Sequence, residues 1–177
     1  MVVGSYLNCV RLDGAALMEL GSWSHLVGRF IAVATAGRLT AEERREVDAW
    51  LESEGESRIY WEQPVADQRH GLEAARMIVA ARPDRRDLIR AGLLHDVGKR
   101  QANLGVIARS MASVFAKLRM PVRGSWRRYL DHGPLGAEEL AGLGSGALVV
   151  EFARHHHGRR PATIPGEEWD VLRSADR

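Results

Sequence analysis

The sequence predicts an all-α protein, a bundle of about seven or eight helices, and three observations carry that expectation. Apolar residues recur at the helical period of about 3.6 along most of the chain. No segment alternates apolar and polar residues as a half-buried strand does. No internal repeat or low-complexity linker interrupts the pattern. With 177 residues, 45% of them hydrophobic and 27% charged, the chain is long enough for one compact domain with a sizeable core.

Each element follows from its own residues. The stretch LDGAALMELGSWSHLVGRFIAVATAG carries apolar residues at helical spacing and ends in glycine, so it reads as one or two helices. Thr40 then precedes acids in a first turn, the pattern of an N-cap. A further helix is expected from about Trp61 to Ala81, stopped by Pro83. Asp84 is the expected cap of the next, whose apolar positions Leu88, Ile89, Ala91, Leu93 and Leu94 carry it to a stop at Gly98. Val106, Ile107, Met111, Val114, Phe115 and Leu118 share one face of another helix, closed by proline. HGPLGAEELAGLG suits a short helix with Pro134 in its first turn, and ALVVEFARHHH and EEWDVLRSADR complete the series.

Composition excludes several classes. One cysteine, Cys9, rules out an intramolecular disulfide framework and cysteine-rich zinc modules, and it is given no catalytic role. No run of 18 apolar residues and no signal-peptide pattern occurs, so the expectation is a soluble, cytoplasmic protein with no membrane partner. A net charge of +2 does not by itself imply a polyanion, so a nucleic-acid partner is disfavoured. The charge is uneven, however: Thr40 to Gln63 holds eight acids and three bases, and Lys99 to Arg128 holds eight bases and no acid.

The histidines are the unusual feature. Six of seven fall between His70 and His157, with His25 isolated. Helical periodicity puts His70 on a stripe with Ala74, Met77 and Ala81, and it sets His95 and Asp96 at the end of a run built for burial. An ionised carboxylate buried without a partner costs several kcal/mol, roughly, so Asp96 needs a cation or a donor. Lys99 could saturate it as an ordinary helix-end pair. A divalent metal bound by imidazole nitrogens and carboxylate oxygens would instead compensate several such groups together.

His70, then His95-Asp96, then Asp176 resembles the H...HD...D signature of the HD superfamily of metal-dependent phosphohydrolases, an all-helical family. HDVGK is similar to its HD-x-G-K variant, DHGPLGAEEL to its middle histidine helix, and RHHHGRRP with LRSADR to its late histidine pair and terminal aspartate. The resemblance covers about residues 60–177 and implies an HD-domain helical bundle there, with residues 1–59 as an N-terminal helical extension. It implies that His70, His95, Asp96 and Asp176 bind one metal, that Asp96 bridges to a second, and that His132, His156 and His157 complete the second site. His155 is left out, since successive helical residues point about 100° apart and one of the three should face elsewhere. Ala66 stands where three-metal members carry a glutamate, so no third metal is expected. The GYP signature of the cyclic-di-GMP-cleaving branch is absent, GRRPATIPGEEW standing in its place.

The activity implied is hydrolysis of a phosphate ester, of a nucleotide or another small phosphorylated metabolite, by a metal-activated water. Asp96 serves as ligand and bridge, and Lys99 either stabilises transition-state charge or complements a helix dipole. The sulfur-free donor set favours Mn, Fe, Co, Ni or Zn. The basic segment Lys99, Arg100, Arg109, Lys117, Arg119, Arg123, Arg127 and Arg128 either draws in an anionic substrate or forms a solvated face; Arg159 and Arg160 are further phosphate candidates. Trp50, Tyr60, Trp61, Trp126 and Trp169 are better read as packing than as base-stacking residues. The alternative function is a metal-containing HD module that senses a nucleotide without turnover. The apolar stripes of the N-terminal extension require burial, against the core or in a homo-oligomer.

Overall fold

The structure, a computed structural model, describes residues 37–102, 104 and 123–176. Among them are eight α-helices, one 3-10 helix and no strand. The helices are α1 (Ala41–Trp50), α2 (Glu54–Trp61), α3 (Val65–Ala81), α4 (Arg86–Leu94), α5 (Ser125–Leu130), α6 (His132–Gly142), α7 (Ala147–His155) and α8 (Gly166–Ala175), with the 3-10 helix Val97–Ala102 after α4. No described helix is long and apolar enough to cross a membrane. The expected helices before residue 37 and over 106–118 lie outside the described residues, as do Cys9 and His25.

Thr40 caps α1 as expected, in a reciprocal box: its hydroxyl accepts the Glu43 amide at 3.2 Å, and its own amide donates to the Glu43 carboxylate at 2.9 Å. The helix expected from about Trp61 to Ala81 starts later, at Val65, and Trp61 instead ends a separate helix that precedes it. α2 begins after Ser53, whose hydroxyl accepts the Glu56 amide at 3.1 Å, and α3 restarts after Pro64. The proline explains the break, because it disfavours helical backbone at Gln63 yet suits a helix start. Asp84 does not cap α4; Pro83 and Asp84 form a turn, and α4 opens at Arg86 with Asp87 in its first turn.

α4 also ends earlier than the expected stop at Gly98. The His95 Nδ1 lies 2.8 Å from the Gly92 carbonyl, which a continuing helix would offer to Asp96. The Lys99 amide then bonds the Asp96 carbonyl at 2.9 Å, opening the tighter 3-10 helix. His95 and Asp96 therefore sit in a turn, free to aim away from either helical face.

One hydrophobic core joins the elements. It includes Leu39, Val47, Ile59 and Tyr60 with Leu72, Ile78, Leu88, Leu93, Leu94, Leu140, Phe152, Trp169 and Leu172. Burying each such large side chain contributes about 1.5–3 kcal/mol before the entropy of ordering is subtracted. The boundary expected between residues 59 and 60 falls inside α2, and side chains on both sides of it enter this core. α3 and α4 pack together, α4 and α6 each rest on α7, and α8 closes over α3 and α4. The expected His70 stripe is corrected beyond Ala74, since Met77 is 54% exposed; the buried face of α3 instead runs through Gly71, Ala74, Ala75 and Ile78.

Gly98 fixes how the 3-10 helix meets α6. A β-carbon there would stand 2.0 Å from the His132 carbonyl oxygen and 2.8 Å from the Gly136 amide, so only glycine permits the two backbones to come this close.

Candidate metal centre

His95, His156 and Asp176 are each the residue that follows a helix, capping α4, α7 and α8. His132 opens α6 directly after the end of α5. α4, α7 and α8 thus bring carbonyl ends to one place, whose partial negative charge favours a cation, while α6 presents its amide end.

The imidazoles are oriented by one repeated local device. Nδ1 of His95, His132 and His156 lies 2.8, 2.6 and 2.8 Å from the backbone carbonyl three residues earlier, of Gly92, Tyr129 and Ala153 respectively. A carbonyl only accepts, so Nδ1 carries the hydrogen in each ring. Every Nε2 is consequently left as the outward, ligand-ready nitrogen.

Those nitrogens converge on two groups that share Asp96. On one side, Asp176 Oδ1 is 3.4 Å from His70 Nε2 and 3.0 Å from His95 Nε2, while Asp96 Oδ2 is 3.9 and 3.4 Å from the same two nitrogens. On the other side, Asp96 Oδ1 is 3.2 Å from His132 Nε2 and 3.5 Å from His156 Nε2. His157 Nε2 adds to this second group at 3.1 Å from His132 Nε2. One donor atom from each of Asp96, His132, His156 and His157 falls within 4.8 Å of the others, and so do those of His70, His95 and Asp176. Among the described residues these are the sets that could hold a metal ion.

The electrostatics of the groups suit a cation. Burial alone would lower the His95 pKa, but the Asp96 and Asp176 carboxylates reverse this and push it up to about 10. Burial would raise Asp96, yet Lys99, His95 and the facing imidazoles hold its carboxyl well below the usual carboxylate range. Asp176 is lowered in the same way by His70 and His95. Desolvation holds His156 below the ordinary imidazole value, so its nitrogen stays unprotonated and able to ligate. Among the described residues three buried side-chain atoms have no hydrogen-bond partner: Arg90 Nε, away from the centre, and His95 Nε2 and Asp96 Oδ1 within it. The last two are ligand atoms belonging to the two groups, and this is what a protein lining a metal site leaves for the ion. The residues present therefore fit a divalent metal.

A family model of the HD domain matches residues 68–177, more than half of the sequence. The chain belongs to the HD-domain family. No curated protein and no solved structure matches it. In this HD-domain chain the structure brings together all seven residues singled out as ligands in the sequence, His70, His95, Asp96, His132, His156, His157 and Asp176. His155 points elsewhere, 3.9 Å from Glu151.

Lys99, in the 3-10 helix, is buried beside the HD pair and donates to Asp96 Oδ2. Burial opposes its charge, but Asp96 raises its pKa, so the ammonium persists. Two other bases of the segment, among the described residues, are taken up in ion pairs. Arg100 is paired with Glu62 and Glu139, and Arg127 with Asp131, so the fold supplies acids that the segment itself lacks. Arg109, Lys117 and Arg119 lie outside the described residues. Arg160 donates to the Ile164 carbonyl at 2.7 Å within its own loop.

The aromatic residues serve packing where their contacts are described. The Tyr60 hydroxyl donates to the Gln68 carbonyl at 2.6 Å, Trp61 Nε1 donates to Asp48 at 2.9 Å, and Trp169 meets Phe152 edge to face at 5.8 Å. Two neighbours of the centre were missed in the sequence. The Tyr129 ring lies 5.7 Å from that of His132, and Arg173 reaches Asp176 at 3.3 Å. Only the second left a signal there, a base three residues before an acid on one helix.

Proposed function

We propose that this HD-domain protein is a metal-dependent phosphohydrolase acting on a phosphate ester of a nucleotide or another small phosphorylated metabolite. The observation that supports this reading best is the placement of Asp96, whose two oxygens face different histidine groups. In this reading His70, His95, Asp96 and Asp176 hold one divalent cation, and Asp96, His132, His156 and His157 hold a second, from among Mn, Fe, Co, Ni and Zn. Two such cations supply Lewis acidity toward phosphoryl oxygens and a water acidic enough to act as nucleophile near neutral pH.

The chain's own groups do the rest. Lys99 keeps an ammonium beside Asp96, where it offsets negative charge gathering on a phosphoryl group. His70 is half-buried and His157 is exposed, so the substrate approaches along the side that they border, while His95, Asp96, His132 and His156 keep water from the opposite side.

Protein purified without chelator and offered nucleoside mono-, di- and triphosphates, cyclic nucleotides and p-nitrophenyl phosphate esters tests the reading. Phosphate or nucleoside is expected from at least one substrate, lost with chelator and restored by metal. Stoichiometric metal without turnover of any ester would contradict it and leave a nucleotide sensor as the better account.

A further inference from the structure

Arg173 stands on α8 one turn before Asp176 and has no part in the ligand set. Its Nη1 donates to two acceptors at once: Asp176 Oδ2 at 3.3 Å, and the backbone carbonyl of His156 at the end of α7. The two oxygens of Asp176 are thereby divided. Oδ1 faces the His70 and His95 imidazoles, and Oδ2 faces the guanidinium. The same guanidinium bonds the residue whose imidazole belongs to the other group, so one side chain ties the end of α8 to the end of α7.

This tie has mechanical consequences. Asp176 lies just beyond the last helical residue of α8, held in the backbone by its amide bond to the Leu172 carbonyl at 3.2 Å. Helix ends fray, so a second group that fixes a carboxylate there keeps its direction. A ligand's partner outside the coordination sphere typically changes metal affinity by about 10–100-fold. Arg173 itself is 38% exposed at its side chain, with its guanidinium 6.0 Å from the centre of the Trp169 ring. It is not a core residue whose loss would unfold the chain.

Resting on the proposed metal-binding reading, we infer that Arg173 is a positioning residue: it sets the Asp176 carboxylate for the cation at His70 and His95, and it locks that group in register with the one at His132, His156 and His157.

Titration with Mn²⁺, followed by calorimetry and by the electron-spin signal of free ion, tests this on the parent, Arg173→Ala, Arg173→Lys, Asp176→Asn and the Arg173→Ala/Asp176→Asn double variant. A parent that binds no Mn²⁺ would overturn the metal-binding reading itself. Given a parent that binds, Arg173→Ala is expected to weaken one site about 10–100-fold and the other far less. Arg173→Lys is expected to recover part of the loss. Adding Arg173→Ala to Asp176→Asn is expected to weaken that site no further, because the arginine acts through the carboxylate. The inference is overturned if Arg173→Ala binds both ions as the parent does, if it loses both equally together with its melting temperature, or if its effect is undiminished in the Asp176→Asn background.

Discussion

Asp96 is 2% exposed and is approached by four imidazoles and one ammonium, so its removal and the removal of a neighbour should differ in kind. Asp96→Ala deletes the one oxygen pair shared by both groups, and both metal content and turnover are expected to fall to background. Lys99→Ala leaves every proposed ligand in place, so metal is retained while kcat falls by about 10²–10³-fold, the usual cost of losing one preorganised charge-stabilising donor. Metal analysis beside steady-state rates checks both; an Asp96→Ala protein as active as its parent would defeat the account. At this scale the sequence was informative because histidines and acids beside apolar runs are chemically conspicuous. Arg173 shows there only as a base three residues before an acid, and Tyr129 not at all, since their reach to His156 and His132 depends on what the fold brings beside them.

Helix ends do the positioning, and they were the least legible feature. The punctuation at Thr40, Pro83 and Pro134 is local chemistry, and helices begin or stop near each of these residues. The break at Pro64 was hidden by the helical pattern on both sides of it, and the stop at Leu94 depends on a histidine ring taking a backbone carbonyl. Gly98 was read as a helix terminator, whereas its role is the contact between the 3-10 helix and α6 that holds His132 against Asp96. Gly98→Ala sets a β-carbon against backbone atoms that cannot rotate away. It is expected to cost about 1–3 kcal/mol in chemical denaturation and to weaken metal binding together with stability. An alanine variant with unchanged denaturation midpoint and metal affinity would show that this contact does not position the site.

Over the whole molecule, stability at low pH rests on carboxylates paired in the fold. Burial pushes the Glu56 pKa up, but Arg90, Ser145 and the Glu52 amide outweigh it and leave it below its ordinary value of 4.5. Glu43, bonded by Arg69 and by the Thr40 amide, is lowered to about 2. A carboxylate depressed in the fold stabilises it above the unfolded value and loses that contribution as pH falls through the folded one, so stability should decline from about pH 4.5 toward 2. Glu56→Gln should be less stable than the parent at pH 7, with the gap narrowing by pH 3; a gap constant across that range would show that this ion pair does not set the acid limit. The all-α architecture was legible from periodicity alone, while this buried pair was not, because Glu56 lies in the acid-rich stretch that reads as a solvated surface. The central claim is that two cations share Asp96 at the meeting of these helix ends. Anomalous scattering from crystals grown with Mn²⁺ or Zn²⁺ tests it most directly: the account predicts one ion among His70, His95, Asp96 and Asp176 and a second among Asp96, His132, His156 and His157, and maps with no ion in either group would contradict it.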